Sequence, residues 1–149
     1  MIERFEQFSS AVCCLYRDMQ KIERVEMEKY GLKAIHGECL LAMLRCPEGL
    51  TAARLSELCD KDKAAISRTV ADLEQEEMVI RQERNGIRYR SLILLTDKGR
   101  EAAVSVRQRA LAAVRQAGVG LSEEKRQIFY EVTALLAKNL HTIRKEGLK

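Results

Sequence analysis

The chain has 149 residues, 46% hydrophobic and 32% charged, which is the balance of one compact globular domain and excludes a disordered segment. The net charge is only +4, so affinity for a polyanion has to come from where the charge sits; the longest clear apolar run, "CLLAML" at 39–44, falls far short of the roughly 20 residues that span a bilayer. Five cysteines without a C-x-x-C pair, and only His36 and His141 beside them, speak against a disulfide framework and a metal site, so neither metal nor cofactor is expected.

Ala, Leu, Glu, Lys and Arg dominate and there is one Pro, a composition that favours helix. The start, "MIERFEQF", carries no signal-peptide core, and a cytoplasmic location with no membrane partner is expected. Ile2, Phe5, Phe8, Val12, Leu15, Tyr16, Met19 and Ile22 mark one stripe of a long first helix, which Gly31 ends as a left-handed cap. A second helix covers about 33–46, with Ile35, Cys39, Leu40, Met43 and Leu44 inward, and stops at Pro47. Thr51 caps a short third helix carrying Leu55 and Leu58. Asp62 caps a fourth, with Ile66, Val70 and Leu73 on its apolar side. The period then changes: "MVIRQER" and "IRYRSLILL" read as strands around Asn85-Gly86, which fits a two-residue type I′ turn. Thr96 and Asp97 open a fifth helix to about Ala117, Gly118 and Gly120 interrupt it, and Ser122 starts a sixth to about Lys145. Short helix, turn, helix and ribbon, flanked by long helices, is a winged helix-turn-helix, mainly α within an α+β class.

On the fourth helix the side opposite the buried stripe presents Ala64, Ser67, Arg68, Ala71 and Gln75. Such a small-residue face with one arginine suits a major groove, where Arg68 pairs with guanine, Ser67 with either base and Ala64 with a thymine methyl. The helix N-terminus and Lys63 suit phosphate, while Asp72, Glu74, Glu76 and Glu77 gather at the far end. The bland alternative is the solvated face of an ordinary bundle helix. The ribbon argues against it: residues 81–90, "RQERNGIRYR", hold four arginines and one glutamate. The pairing expected of an Asn85-Gly86 turn sets Glu83 opposite Arg88 and Arg81 opposite Arg90, and like charges across a hairpin destabilise it unless an anion lies nearby.

Residues 50–103, with "LT" opening a helix, "DK" then "ISR", "LEQEEMV" leading into the ribbon and "LTDKGR" leaving it, resemble the DNA-binding core of the MarR family of bacterial transcriptional regulators. The flanking long helices extend the resemblance over almost the whole chain. It implies one domain over 1–149, with 1–31 and 97–149 as dimerisation helices and 33–96 as the DNA-binding lobe. It also implies a homodimer gripping a pseudo-palindromic double-stranded operator. In most such proteins the action is repression, relieved by a small molecule or a stress signal. On matched positions Ser67 and Arg68 become base readers. Thr51, Arg54 and Lys63 become backbone contacts, and Arg88, with Arg84 and Arg90 keeping the charge, becomes the minor-groove wing. The chain departs from the family pattern at Asn85, Ile87 and Tyr89 of the wing, and "CDK" at 59–61 replaces an apolar-Gly-apolar turn.

One branch of the family senses oxidants through a first-helix cysteine, which makes Cys13 and Cys14 candidates for thiol sensing. Adjacent helical cysteines diverge by about 100° and do not bridge each other, so packing is the competing reading for them, as for Cys39, Cys46 and Cys59. His36 is read either as a surface histidine or as lining for a small aromatic effector. No nucleophile–base set or phosphate-cradling loop marks an enzyme. A winged-helix module that binds a protein in place of DNA is the remaining alternative.

Overall fold

The computed structural model describes residues 2–84 and 87–148, and of residues 83, 84 and 87–90 the backbone alone. The element order is α1 (Ile2–Glu28), α2 (Ala34–Leu44), α3 (Ala52–Cys59), α4 (Lys63–Gln75), β1 (Val79–Arg84), β2 (Ile87–Leu95), α5 (Asp97–Ala117) and α6 (Glu123–Glu146). The chain divides into two compact units, Met1–Ala113 and Val114–Lys149.

Helix ends in the first unit follow local chemistry. Gly31, at φ +68°, occupies the left-handed position after α1, where the N–H groups of Leu32 and Gly31 close on the carbonyls of Met27 and Glu28. Thr51 caps α3 by accepting the Arg54 N–H at 3.2 Å, and Asp62 caps α4 by accepting the Ala65 N–H at 2.8 Å. Between them Asp60 takes the left-handed conformation (φ 50°) that favours glycine. A short polar side chain tolerates that region better than most.

The core is built from Met27 of α1, Leu40 and Met43 of α2, Leu55 of α3, and Ile66, Val70 and Leu73 of α4, with Met78, Ile93 and Val106. Each such side chain contributes roughly 1.5–3 kcal/mol when fully buried. Cys39, Leu40 and Met43 of α2 are buried as expected, and the inward face is broader than the apolar stripe. His36 and Gly37 are buried, whereas Ile35 and Leu44 are only partly covered. Gly37 allows this, since a Cβ there would lie 3.1 Å from the Met27 side chain of α1. Leu58 is 45% exposed, since the core-facing side of α3 runs through Ala52, Leu55 and Cys59.

Strands β1 and β2 pair antiparallel, and Leu50 adds a bridge to Ile93 through two backbone hydrogen bonds of 3.0 and 2.8 Å. A single bridging residue carries no periodicity, so the sequence pattern does not announce this third segment. Thr96 welds α5 to the end of α4. Its N–H donates to the Met78 carbonyl at 3.0 Å, its hydroxyl donates to the Glu77 carbonyl at 2.8 Å, and the same oxygen accepts the Gly99 N–H.

Glu26 is buried near the end of α1, yet it accepts both the Lys29 ammonium at 2.8 Å and the Ser105 hydroxyl at 2.5 Å. Those two bonds, ahead of the opposing effect of burial, hold its carboxyl below the ordinary 4.5. A depressed folded-state value means stability that is present above about pH 4.5 and is lost as pH falls through the lowered value. Glu26→Gln is therefore expected to cost about 1–3 kcal/mol at pH 7, with the gap to the parent closing below pH 4.5. Urea unfolding at the two pH values measures both.

In the second unit Ser122 caps α6 by accepting the Lys125 N–H at 3.3 Å, and Arg126 donates to the Gly118 carbonyl at 2.9 Å. The apolar stripe of α6, including Ile128, Val132, Leu135, Leu136 and Leu140, is exposed in the single chain. The stripe of α1 from Ile2 to Met19 is likewise exposed, with Phe5 at 68%. No helix of the described residues is long and apolar enough to cross a membrane.

Candidate nucleic-acid interface

Helix α4 presents the face expected of it. Ile66, Val70 and Leu73 are buried, and Ala64, Ser67, Arg68, Ala71 and Gln75 are exposed on the opposite side. Thr69 joins the buried side because its hydroxyl donates to the Ala65 carbonyl at 2.9 Å, which satisfies the one polar atom it would otherwise bury. Among the described residues neither Arg68 nor Lys63 makes a hydrogen bond or ion pair, so both cations remain available to an incoming anion. The helix start is less open than expected. The Ala65 N–H is taken by Asp62, whose carboxyl is held below its ordinary range chiefly by that bond, with Arg68 also contributing. Attraction for phosphate at this end therefore rests on Lys63 and Arg68 rather than on a bare helix terminus.

The acids at the other end of α4 are structural partners. Glu74 accepts two bonds from the Arg81 guanidinium at 2.9 and 3.0 Å, and Asp72 accepts from His36 at 3.1 Å. This corrects the expected place of Arg81. It lies opposite Ile93 in the ladder rather than opposite Arg90, because the register shifts between Gln82, paired with Leu92, and Arg84, paired with Ile87. Arg81 thus ties the ribbon to the recognition-type helix. The side chains of Glu83, Arg84, Arg88 and Arg90, and the Asn85-Gly86 turn, lie outside the described residues.

On α3, Arg54 is exposed and paired with Glu57 at 2.8 Å, an interaction in water that an anion can displace cheaply. The Thr51 hydroxyl accepts as a cap, which leaves its own hydrogen to donate outward. Thr51 and Arg54 thus lie at the start of α3, and Lys63 and Arg68 in the first two turns of α4.

His36 is not a surface histidine. Its side chain is 4% exposed, Nδ1 accepts the Lys33 N–H at 2.9 Å, and Nε2 therefore carries the hydrogen and donates to Asp72. Both ring nitrogens are occupied in joining α2 to α4. An open groove of about 470 Å³ lies elsewhere, lined by Tyr30, Asp97, Arg100, Glu101, Val104, Ser105 and Gln108. Cys13 and Cys14 are exposed on α1, and the Cys14 thiol lies 3.5 Å from an Asp18 carboxylate oxygen. The described residues contain no group of three or more His, Cys, Asp or Glu side chains that would hold a metal ion.

No family model matches the chain. The uncharacterized HTH-type transcriptional regulator YdgJ of Bacillus subtilis (strain 168) is 27% identical over 104 residues, which span 70% of this chain and 63% of that relative. The match thus covers less than two thirds of the relative's length. A Staphylococcus aureus MarR in complex with salicylate and kanamycin superposes with a TM-score of 0.80 at 17% identity, over 94% of each chain. A MarR-type Listeria monocytogenes chain complexed with 26mer DNA superposes with a TM-score of 0.76 at 17% identity, over 94% of this chain and 95% of that one. The small antiparallel ribbon, the capped α3–α4 pair and the long flanking helices are those of these structures: the chain has the winged helix-turn-helix fold of the MarR-type transcriptional regulators.

Proposed function

We propose that the chain is a MarR-family transcriptional regulator that binds a pseudo-palindromic operator as a homodimer, acting as a repressor that a small-molecule or stress signal releases. The observation that carries this reading is the exposed face of α4, in which small residues surround an Arg68 that makes no hydrogen bond among the described residues. Ser67 and Arg68 read base edges, Ala64 approaches a thymine methyl, and Thr51, Arg54 and Lys63 hold phosphates. Arg84, Arg88 and Arg90 form the wing. The exposed apolar stripes of α1 and α6 support a second copy as their cover, since contiguous apolar surface of that extent marks an association face. Two recognition helices then sit in successive major grooves, about 34–36 Å apart, and an effector that spreads them releases the DNA. A small aromatic effector is supported by the salicylate bound to the Staphylococcus aureus relative.

Selection of bound fragments from the source genome, followed by titration over a range of salt, tests this. Binding is expected to fall steeply with salt, and Arg88→Ala to weaken all sequences alike and reduce the slope of log K against log salt by about 1. Salt-insensitive association with a protein, and no selected fragment, would establish the interaction-module alternative instead.

A further inference from the structure

Two of the five cysteines meet between α2 and α3. Cys39 is fully buried on α2, Cys59 is the last residue of α3 and partly covered, and their sulfurs lie 3.9 Å apart. Twenty residues separate them in sequence, so packing of the two helices alone makes this pair. Cys13 and Cys14, by contrast, are neighbours on α1 that point apart, and Cys46 packs partly covered against the core.

The two thiols are not equivalent. The Cys59 thiol is held below the usual range chiefly by its bond with Cys39, with Lys61 and Arg45 nearby, against the effects of burial and Glu38. Cys39, the more deeply buried, is pushed far up by that same bond and by burial. Reactive thiols need cationic, partly open surroundings, and a resolving thiol needs only to be close. Lys61 is kept at the site by its bridge to Glu38 at 3.8 Å.

We propose that Cys39 and Cys59 are a redox-active dithiol that hydroperoxides convert to an intrachain disulfide. The Cys59 thiolate attacks one oxygen of the peroxide, the O–O bond breaks, and the departing alkoxide leaves as an alcohol after taking a proton. The Cys59 sulfenic acid so formed is attacked by the Cys39 sulfur. An S–S bond replaces the S–O bond, and the hydroxide leaves as water with the Cys39 proton. The sum is two thiols plus one hydroperoxide giving one disulfide, one alcohol and one water. An S–S bond of about 2.05 Å is nearly 2 Å shorter than the present separation, so closing it takes rotation of the two side chains together with movement of the α3 end toward α2 wherever rotation falls short. Cys59 adjoins Asp60 and the turn into Asp62, the cap of α4, so the movement is delivered to the start of the recognition-type helix. This last step, that oxidation alters operator affinity, rests on the DNA-binding reading above.

The test treats the reduced full chain with a single equivalent of cumene hydroperoxide, blocks remaining thiols and maps non-reduced peptides. A Cys39–Cys59 crosslink and the loss of two hydrogens per chain are expected. Cys39→Ser is expected to stop at a Cys59 sulfenic acid that dimedone traps, and Cys59→Ser to slow consumption of the Cys39 thiol at least roughly tenfold. A parent chain in which Cys59 stays reduced while Cys13 or Cys14 is consumed overturns the proposal, whatever the variants do. Operator binding on the same samples separates the two readings. A disulfide that forms without changing affinity overturns only the coupling, and a reduced chain that binds no operator overturns only the DNA reading.

Discussion

Gly99→Ala is expected to lower the unfolding free energy by roughly 3 kcal/mol, the upper range for overpacking a fitted site. A Cβ built there would lie 1.9 Å from the Met78 carbonyl oxygen and 2.8 Å from its carbon, and both atoms belong to backbone. That carbonyl cannot swing aside, since it accepts the Thr96 N–H while the adjacent Glu77 carbonyl accepts the Thr96 hydroxyl. Glu77 is itself in the left-handed region at φ 58°, so the corner has little freedom to relax. Alanine normally favours a helix over glycine by about 1 kcal/mol, which is too little to offset a backbone collision. Thermal unfolding should show a drop of roughly 6–12 °C, scaling from the size of the chain. Arg100→Ala, on the exposed side of the same helix, should stay within about 0.5 kcal/mol of the parent. A Gly99→Ala variant as stable as the parent would mean that α5 does not start where the Met78 carbonyl places it.

Arg68→Ala is expected to cost about 1–3 kcal/mol of operator binding, which is roughly 5- to 150-fold in Kd, and to relax preference at one base position. The expectation follows from an exposed guanidinium that makes no hydrogen bond or ion pair among the described residues, its electrostatic effect on Asp62 being a minor one. Fold stability should therefore be unchanged. Comparing the parent and variant on a panel of single-base substitutions of the operator separates a base contact from a phosphate contact. A loss equal on every sequence would move Arg68 to the phosphate backbone, and no loss at all would remove α4 from the interface.

The arrangement of caps explains why these two residues carry such different consequences. Gly99 sits where three backbone segments converge, so its effect is on folding. Arg68 sits where a helix face meets solvent, so its effect is on binding. Arg81 belongs with the first kind despite its charge, because Glu74 holds it. Counting arginines along the ribbon overstates the charge offered to a partner by that one residue.

Helix limits were legible in the residues themselves. Thr51, Asp62, Thr96 and Ser122 cap through their own oxygens, and Gly31 relieves a left-handed turn, all interactions within a few residues. The periodic stripe of α4 also followed directly, because the helical repeat alone decides which residues share a face. Tertiary structure decided what depends on distant neighbours. It buried His36 by supplying Asp72, turned Arg81 toward Glu74, shifted the ribbon register and left Leu58 outside by setting Ala52, Leu55 and Cys59 of α3 against the core. It also brought Cys39 to Cys59 across twenty residues, a contact no spacing rule reports. By itself the sequence determined the elements, their caps and the outward face of α4, since those are local consequences of side-chain chemistry and helix geometry. Which charges are free and which thiols touch was decided only by packing, because both depend on what the remainder of the chain brings within bonding distance.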